Sequence, residues 1–277
     1  MALFKGLRQK PKEDCLPVTE RPSIKRQLGY YVANLQGIGA RERQEDSFTV
    51  AGAFDVAAIR EKGLLFAVCD GMGGMKDGKL ASETAIQSLR QSFAEMNRDS
   101  DLAAQLKESV FLASSRVEAQ IGGDGGSTAV IGILYQERLF YASVGDSYLY
   151  LLRDGRLLRL NTEHNLCHQK YLEAIRDGDL DPAPLREIPE AAALTQFLGM
   201  TGFHDVDGSV RPLPMQEGDV LLACSDGVGG VLHPQEIAKA LQGGSVEQMC
   251  RTLEEGLVLH NKPNQDNYTA IVVKCVL

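Results

Sequence analysis

Residues 64–74 read LLFAVCDGMGG and residues 220–230 read VLLACSDGVGG. Each is an apolar run that suits a buried strand and ends at Asp-Gly, followed by a pair of glycines. A strand stopping at Asp-Gly leaves a carboxylate at its sheet edge, and the glycines let backbone approach a ligand closely. Asp70 and Asp226, far apart in the chain, can meet only if the two strands lie side by side or face to face. Oxygen ligands gathered in this way suit a hard cation such as Mg²⁺ or Mn²⁺.

Two further acidic signals flank these runs. Arg41-Glu42-Arg43-Gln44-Glu45-Asp46 leads into the short apolar stretch after Ser47, and Asn264-Gln265-Asp266-Asn267-Tyr268-Thr269 leads into Ala270–Val273. Asp46, Asp70, Asp226 and Asp266 thus all stand at strand junctions. Any one of them alone reads as a turn former, because Asp-Gly and Asp-Asn are common in turns. All four in this arrangement read as a cation site.

Composition bounds the rest. The chain has 277 residues with 44% hydrophobic content, enough for a sizeable core in one large domain or two small ones. Its net charge of −8 argues against a nucleic-acid binder, which would carry a basic face. The six cysteines (Cys15, Cys69, Cys167, Cys224, Cys250, Cys275) show no C-x-x-C pair and no zinc spacing. With no signal peptide or long apolar span, a reduced, cytoplasmic protein without a membrane partner is expected.

The pattern along the chain gives a mixed fold. Residues 1–27 read as a flexible tail and residues 28–277 as one domain. Strands are expected at Tyr30–Leu35, Ser47–Ala53, Ser127–Tyr135, Arg138–Val144, Ser147–Arg153, Leu157–Asn161, Asp207–Leu213, Asp219–Cys224 and Ala270–Cys275. Gln136-Glu137, Gly145-Asp146 and Asp154-Gly155 are short enough for hairpins. Helices are expected at Lys79–Asn97, Asp101–Ile121 (capped by Asp99 or Ser100), Cys167–Asp177, Pro234–Gln242 and Val246–His260. The polar segment of about 165–203 interrupts the strands and reads as a functional flap. Because the helices come in pairs between groups of strands, the fold class is α+β: a four-layer α-β-β-α sandwich, two central antiparallel sheets flanked by helix pairs.

At this point the motifs form a set: Arg41-x-x-x-Glu45-Asp46; Asp70-Gly71-Met72-Gly73-Gly74; Gly126-Ser127-Thr128-Ala129; Val144-Gly145-Asp146-Ser147; Leu194-Thr195-x-x-Leu198-Gly199; Ser225-Asp226-Gly227; and Asp266-Asn267-x-Thr269. In this order they resemble the bacterial type of the metal-dependent serine/threonine protein phosphatases, the PPM or protein phosphatase 2C family, from about Tyr30 to the C-terminus. The resemblance implies hydrolysis of phosphoserine and phosphothreonine in proteins by water activated at a binuclear Mn²⁺ or Mg²⁺ centre. It assigns metal binding to Glu45, Asp46, Asp70, the Gly71 carbonyl, Asp226 and Asp266, with Asp70 bridging the two ions. Arg41 would bind the substrate phosphate, and Asp124 would be the candidate for a third, weaker ion. The implied partners are a phosphorylated protein and an opposing serine/threonine kinase, the enzyme acting as a monomer. The chemistry needs no Ser or Cys nucleophile, and the sequence has neither a G-x-S-x-G elbow nor a phosphate-binding cysteine loop.

Two positions depart from the family pattern. Met72 stands where many eukaryotic members carry His, and Tyr148 follows Val-Gly-Asp-Ser where Arg is typical. Asp146 reads mainly as a turn residue, and His164 as a structural side chain. Two alternatives remain at this stage: a catalytically silent binding module for phosphoproteins, and a phosphatase for a small phosphomonoester.

Overall fold

The computed structural model describes residues 27–52, 56–73, 77–122, 125–178 and 190–277. Residues 1–26 of the tail, Gly74, Cys15, Asp124 and the 179–189 part of the flap lie outside them.

Five antiparallel strands, numbered in chain order, form one sheet in the order β1 (Gly29–Gly37), β13 (Tyr268–Val276), β12 (Val220–Cys224), β8 (Tyr148–Arg153) and β9 (Arg156–Arg159). The second antiparallel sheet runs β10 (Asp207–Gly208), β7 (Arg138–Val144), β6 (Ala129–Tyr135), β3 (Leu64–Cys69) and β2 (Ser47–Ala51), with β11 (Leu213–Pro214) also on β7. A two-stranded ribbon pairs β4 (Gly71–Gly73) with β5 (Gly125–Ser127).

Alternate side chains on the strands sort the core into three apolar layers. Leu64, Phe66 and Val68 of β3 meet Leu221, Ala223, Ile271 and Val273 between the sheets. Leu65, Ala67 and Cys69 face the opposite way, onto helices α2 (Asp77–Glu95) and α3 (Leu102–Ile121). Val220, Leu222 and Cys224 likewise face outward, onto α6 (Pro234–Ala240) and α7 (Val246–His260). The order of layers is helix pair, sheet, sheet, helix pair, as expected. Both runs read first, β3 and β12, are buried on both faces and lie in opposing sheets.

Three local expectations are corrected. Gly145-Asp146 does not close a hairpin: β7 and β8 belong to different sheets, so this short link carries the chain from one to the other. Gly145 makes the crossing with φ of 91°, a conformation that favours glycine. The cap of α3 is Asp101, whose carboxylate accepts from the Ala103 and Ala104 amides, rather than Asp99 or Ser100. The expected strand Asp207–Leu213 is two separate two-residue pairings on β7. Two short helices, α1 (Val56–Lys62) and α5 (Asp226–Gly229), were not expected, whereas the flap helix α4 (Leu166–Asp177) was. No described helix is long and apolar enough to cross a membrane.

Candidate metal centre

Sheet register brings the distant carboxylates to one end of the sandwich. Ser47 pairs with Cys69, which sets Asp46 beside Asp70. Cys224 lies between Ala270 and Tyr148, which gathers Asp226, Asp266 and the Asp146 crossover at the same end of the other sheet. Arg41, Glu45, Asp70, Gly71, Asp146, Asp226 and Asp266 line one cleft of about 280 Å³. Asp46 is fully buried behind it. Every sequence-predicted site residue among those described is therefore in or against this cleft, and Asp146, first read as a turn former, joins them.

Neutral groups hold these acids in place. The Asp70 amide donates to Thr128 Oγ1 at 3.0 Å, and the Thr128 amide donates back to the Asp70 carbonyl at 2.8 Å. Ser225 Oγ donates to Asp46 Oδ2 at 2.8 Å and accepts from the Thr269 amide at 3.0 Å. Asn267, buried, accepts from the Glu45 amide at 2.7 Å and donates to the Ile38 and Arg43 carbonyls, both at 2.9 Å. One amide side chain thus ties the C-terminal motif to the loop that carries Arg41 and Glu45. A Cβ on Gly227 would collide with the Asn267 carbonyl, so this approach requires glycine. Thr128, Ser225 and Asn267 belong to the recognised motifs, but their positioning bonds became apparent only in three dimensions.

The electrostatics are those of crowded anions. Desolvation comes first at Asp70, followed by repulsion from Asp46, Asp226 and Asp146, and together they push its carboxyl well above the usual range. Asp46 rises to about 6, again through burial, against the lowering bonds from Thr269 and Ser225. Asp146 rises to about 7 through burial and then the charge of Asp226. Asp226 is raised by burial and by Asp266, and it lies within hydrogen-bond reach of Asp70. Ionising carboxylates this close carries a free-energy cost that a cation among them would relieve.

Two observations test the fit to a hard divalent cation. Asp46 Oδ1 and Asp226 Oδ1 are buried with no hydrogen-bond partner, a costly arrangement that a cation would relieve. The donor set is also entirely oxygen, as Mg²⁺ and Mn²⁺ prefer. Among the described residues no three acidic, His or Cys side chains close on one point as they stand. Asp266 instead turns to Arg41, whose Nη2 lies 2.6 Å from Asp266 Oδ2. The residues fit the cations, with this ion pair occupying one ligand.

A four-layer sandwich with a carboxylate-lined cleft at one end defines a protein class able to gather hard cations, and the comparisons give its family. Residues 32–176 match the protein phosphatase 2C family. The chain is 29% identical over 247 residues to the serine/threonine phosphatase Stp of Listeria innocua, covering 84% of this chain and 91% of that protein. The crystal structure of the Mycobacterium tuberculosis serine/threonine phosphatase PstP/Ppp superposes with a TM-score of 0.71 at 26% identity, covering 90% of this chain and 99% of that one. The catalytic domain of PstP in complex with two manganese ions gives 0.70, also at 26%, covering 91% and 100%. The chain belongs to the protein phosphatase 2C family, the metal-dependent protein serine/threonine phosphatases.

Proposed function

We propose that the chain hydrolyses phosphoserine and phosphothreonine in proteins, with Glu45, Asp46, Asp70, the Gly71 carbonyl, Asp226 and Asp266 as ligands for two Mn²⁺ or Mg²⁺ ions. The observation that carries this reading is the pair of unpartnered buried oxygens, Asp46 Oδ1 and Asp226 Oδ1, within a cluster of mutually repelling acids. Bound divalent cations neutralise such a cluster and the charge of a phosphomonoester, and they make water acidic enough to be a nucleophile near neutral pH.

The chain's own residues bind and orient. The Arg41 side chain is 57% exposed at the rim, with its carboxylate partner Asp266 also partly open to solvent. Its planar fork can therefore exchange that carboxylate for two phosphate oxygens. Thr128 fixes the Asp70 backbone and Ser225 fixes one oxygen of Asp46, leaving the other oxygen free to ligate. Asn267 sets the loop between Arg41 and Glu45. Met72 lines the cleft but has no titratable proton, so the leaving oxygen takes its proton from water or from another residue. A kinase acting on serine and threonine is the natural opposing partner. Five free cysteines among the described residues fit a reducing, cytoplasmic setting.

The experiment is hydrolysis of p-nitrophenyl phosphate with EDTA, Mg²⁺ and Mn²⁺ in parallel. Turnover absent in EDTA and restored by Mn²⁺ is expected. Folded protein that is inert with every metal overturns the reading in favour of a silent binding module.

A further inference from the structure

A second cavity, of about 570 Å³, lies under the flap helix α4 beside the carboxylate cleft. The two share a wall, since Leu194 lines the cleft and Thr195, the next residue, lines the cavity. The junction is pinned: Asn165 bridges to Leu194, the Thr195 amide donates to the His164 carbonyl at 2.8 Å, and the His164 amide donates to the Gly145 carbonyl at 2.8 Å. That last bond reaches the crossover carrying Asp146, which faces the cleft.

The lining is rich in acceptors. Glu163, Asp205 and Asp207 supply carboxylates, and no Lys or Arg stands among the described lining residues. Glu163 is already paired, with Arg159 Nη1 at 2.7 Å. Asp207 accepts the Thr162 amide at 2.7 Å through one oxygen. Asp205 is the most open of the three: its side chain is 63% exposed, and its Oδ2 lies 3.7 Å from His164 Nε2. His164 itself is more than nine-tenths buried in the wall, with Nδ1 lacking a partner, and burial lowers its pKa so that it stays neutral. His204 Nδ1 lies 2.8 Å from the Gly202 carbonyl and 3.3 Å from Gln196 Nε2. Leu172, Met200 and Val206 supply an apolar side. An exposed carboxylate, two further carboxylates and an aliphatic wall, with no cationic side chain among the described lining residues, suit a long side chain with a cationic donor head.

Resting on the phosphatase reading above, we propose that this cavity is a substrate subsite that receives an Arg or Lys side chain flanking the phosphorylated residue. Leu194 and Thr195 are consecutive, so a peptide lying across the shared wall would bring a residue near the phosphorylated one to the cavity. Asp205 is the specificity-determining residue.

The test uses phosphothreonine peptides identical except for Arg, Ala or Glu at successive flanking positions. Turnover is followed by phosphate release with Mn²⁺, and binding by fluorescence anisotropy, which needs no turnover. At one or two positions Arg is expected to exceed Glu by roughly tenfold in kcat/KM, mainly through KM. Asp205→Asn should bring that ratio close to one, and Asp205→Lys should invert it. Equal use of Arg and Glu peptides at every position overturns the proposal. A preference that survives both substitutions also overturns it. Failure of the proposal is separable from failure of the phosphatase reading. If p-nitrophenyl phosphate is hydrolysed but the peptides show no preference, only the subsite falls. If no substrate is turned over with any metal, the phosphatase reading falls and the anisotropy ratios still decide the cavity.

Discussion

Asp70 and Arg41 separate two roles that a single activity assay would merge. Asp70 is raised by burial and by three neighbouring acids, so in the metal-free protein its charge is a burden. Replacing it with Asn keeps the shape and removes the charge. Asp70→Asn should therefore lose at least one metal by calorimetry and about a thousandfold or more in kcat, while the metal-free Tm at pH 8 rises by about 2–5 °C. A falling Tm would show that the Asp70 charge is compensated in the fold and would break the crowding argument. Arg41 is instead a rim residue paired with Asp266. Arg41→Ala should raise KM by about tenfold with metal affinity unchanged or improved, since Asp266 is released. Weaker metal binding with unchanged KM would place Arg41 among the structural residues of the centre.

At the level of elements, the sequence made legible what depends on periodicity. Two apolar runs ending at Asp-Gly became the opposed strands β3 and β12, and paired amphipathic segments became the outer layers. The Gln136-Glu137 and Asp154-Gly155 hairpins also formed, all four residues holding positive φ. What sequence hid was pairing across distance. Gly145-Asp146 has the composition of a hairpin turn, and only the partners of β7 and β8 show that it crosses between sheets and delivers Asp146 to the cleft. The positioning bonds of Asn267 reach residues more than two hundred positions away, beyond any local pattern. Asp219 is another such residue: only 2% of its side chain is exposed, and it takes a two-point contact from Arg153 Nε at 2.8 Å and Nη2 at 2.5 Å while accepting the Gln216 amide at 2.7 Å. This clamp ties the end of β8 to the loop entering β12. Asp219→Ala takes two bonds from the guanidinium, which keeps the one from Nη2 to the Pro214 carbonyl at 2.8 Å, and strands the Gln216 amide; it should cost about 3 kcal/mol in urea unfolding. A loss below about 1 kcal/mol would mean that solvent replaces the carboxylate freely.

For the molecule as a whole, the carboxylate cluster couples stability to protons and, under the proposed function, to metal. Asp46 near 6, Asp146 near 7 and the raised Asp70 and Asp226 all bind protons more tightly folded than unfolded, where a carboxyl titrates near 3.8. The folded state then holds more protons than the unfolded one between about pH 4 and 7, and the linkage relation makes stability fall as pH rises through that window. The metal-free protein should accordingly show a higher Tm at pH 5.5 than at pH 8, the reverse of a protein held by ionised, salt-bridged acids. Its net charge of −8 at pH 7 adds repulsion in the same direction. Divalent cations bind the ionised carboxylates, so Mn²⁺ should raise Tm far more at pH 8 than at pH 5.5 and flatten the profile. Asp146→Asn should remove part of the slope in EDTA, because its neutral side chain no longer loses a proton in the window. Scanning calorimetry across pH, with EDTA and with Mn²⁺, reads all three effects. A metal-free Tm that climbs from pH 5.5 to 8 would show that the four acids ionise without strain, and the case for the cleft as a cation site would lose its electrostatic basis.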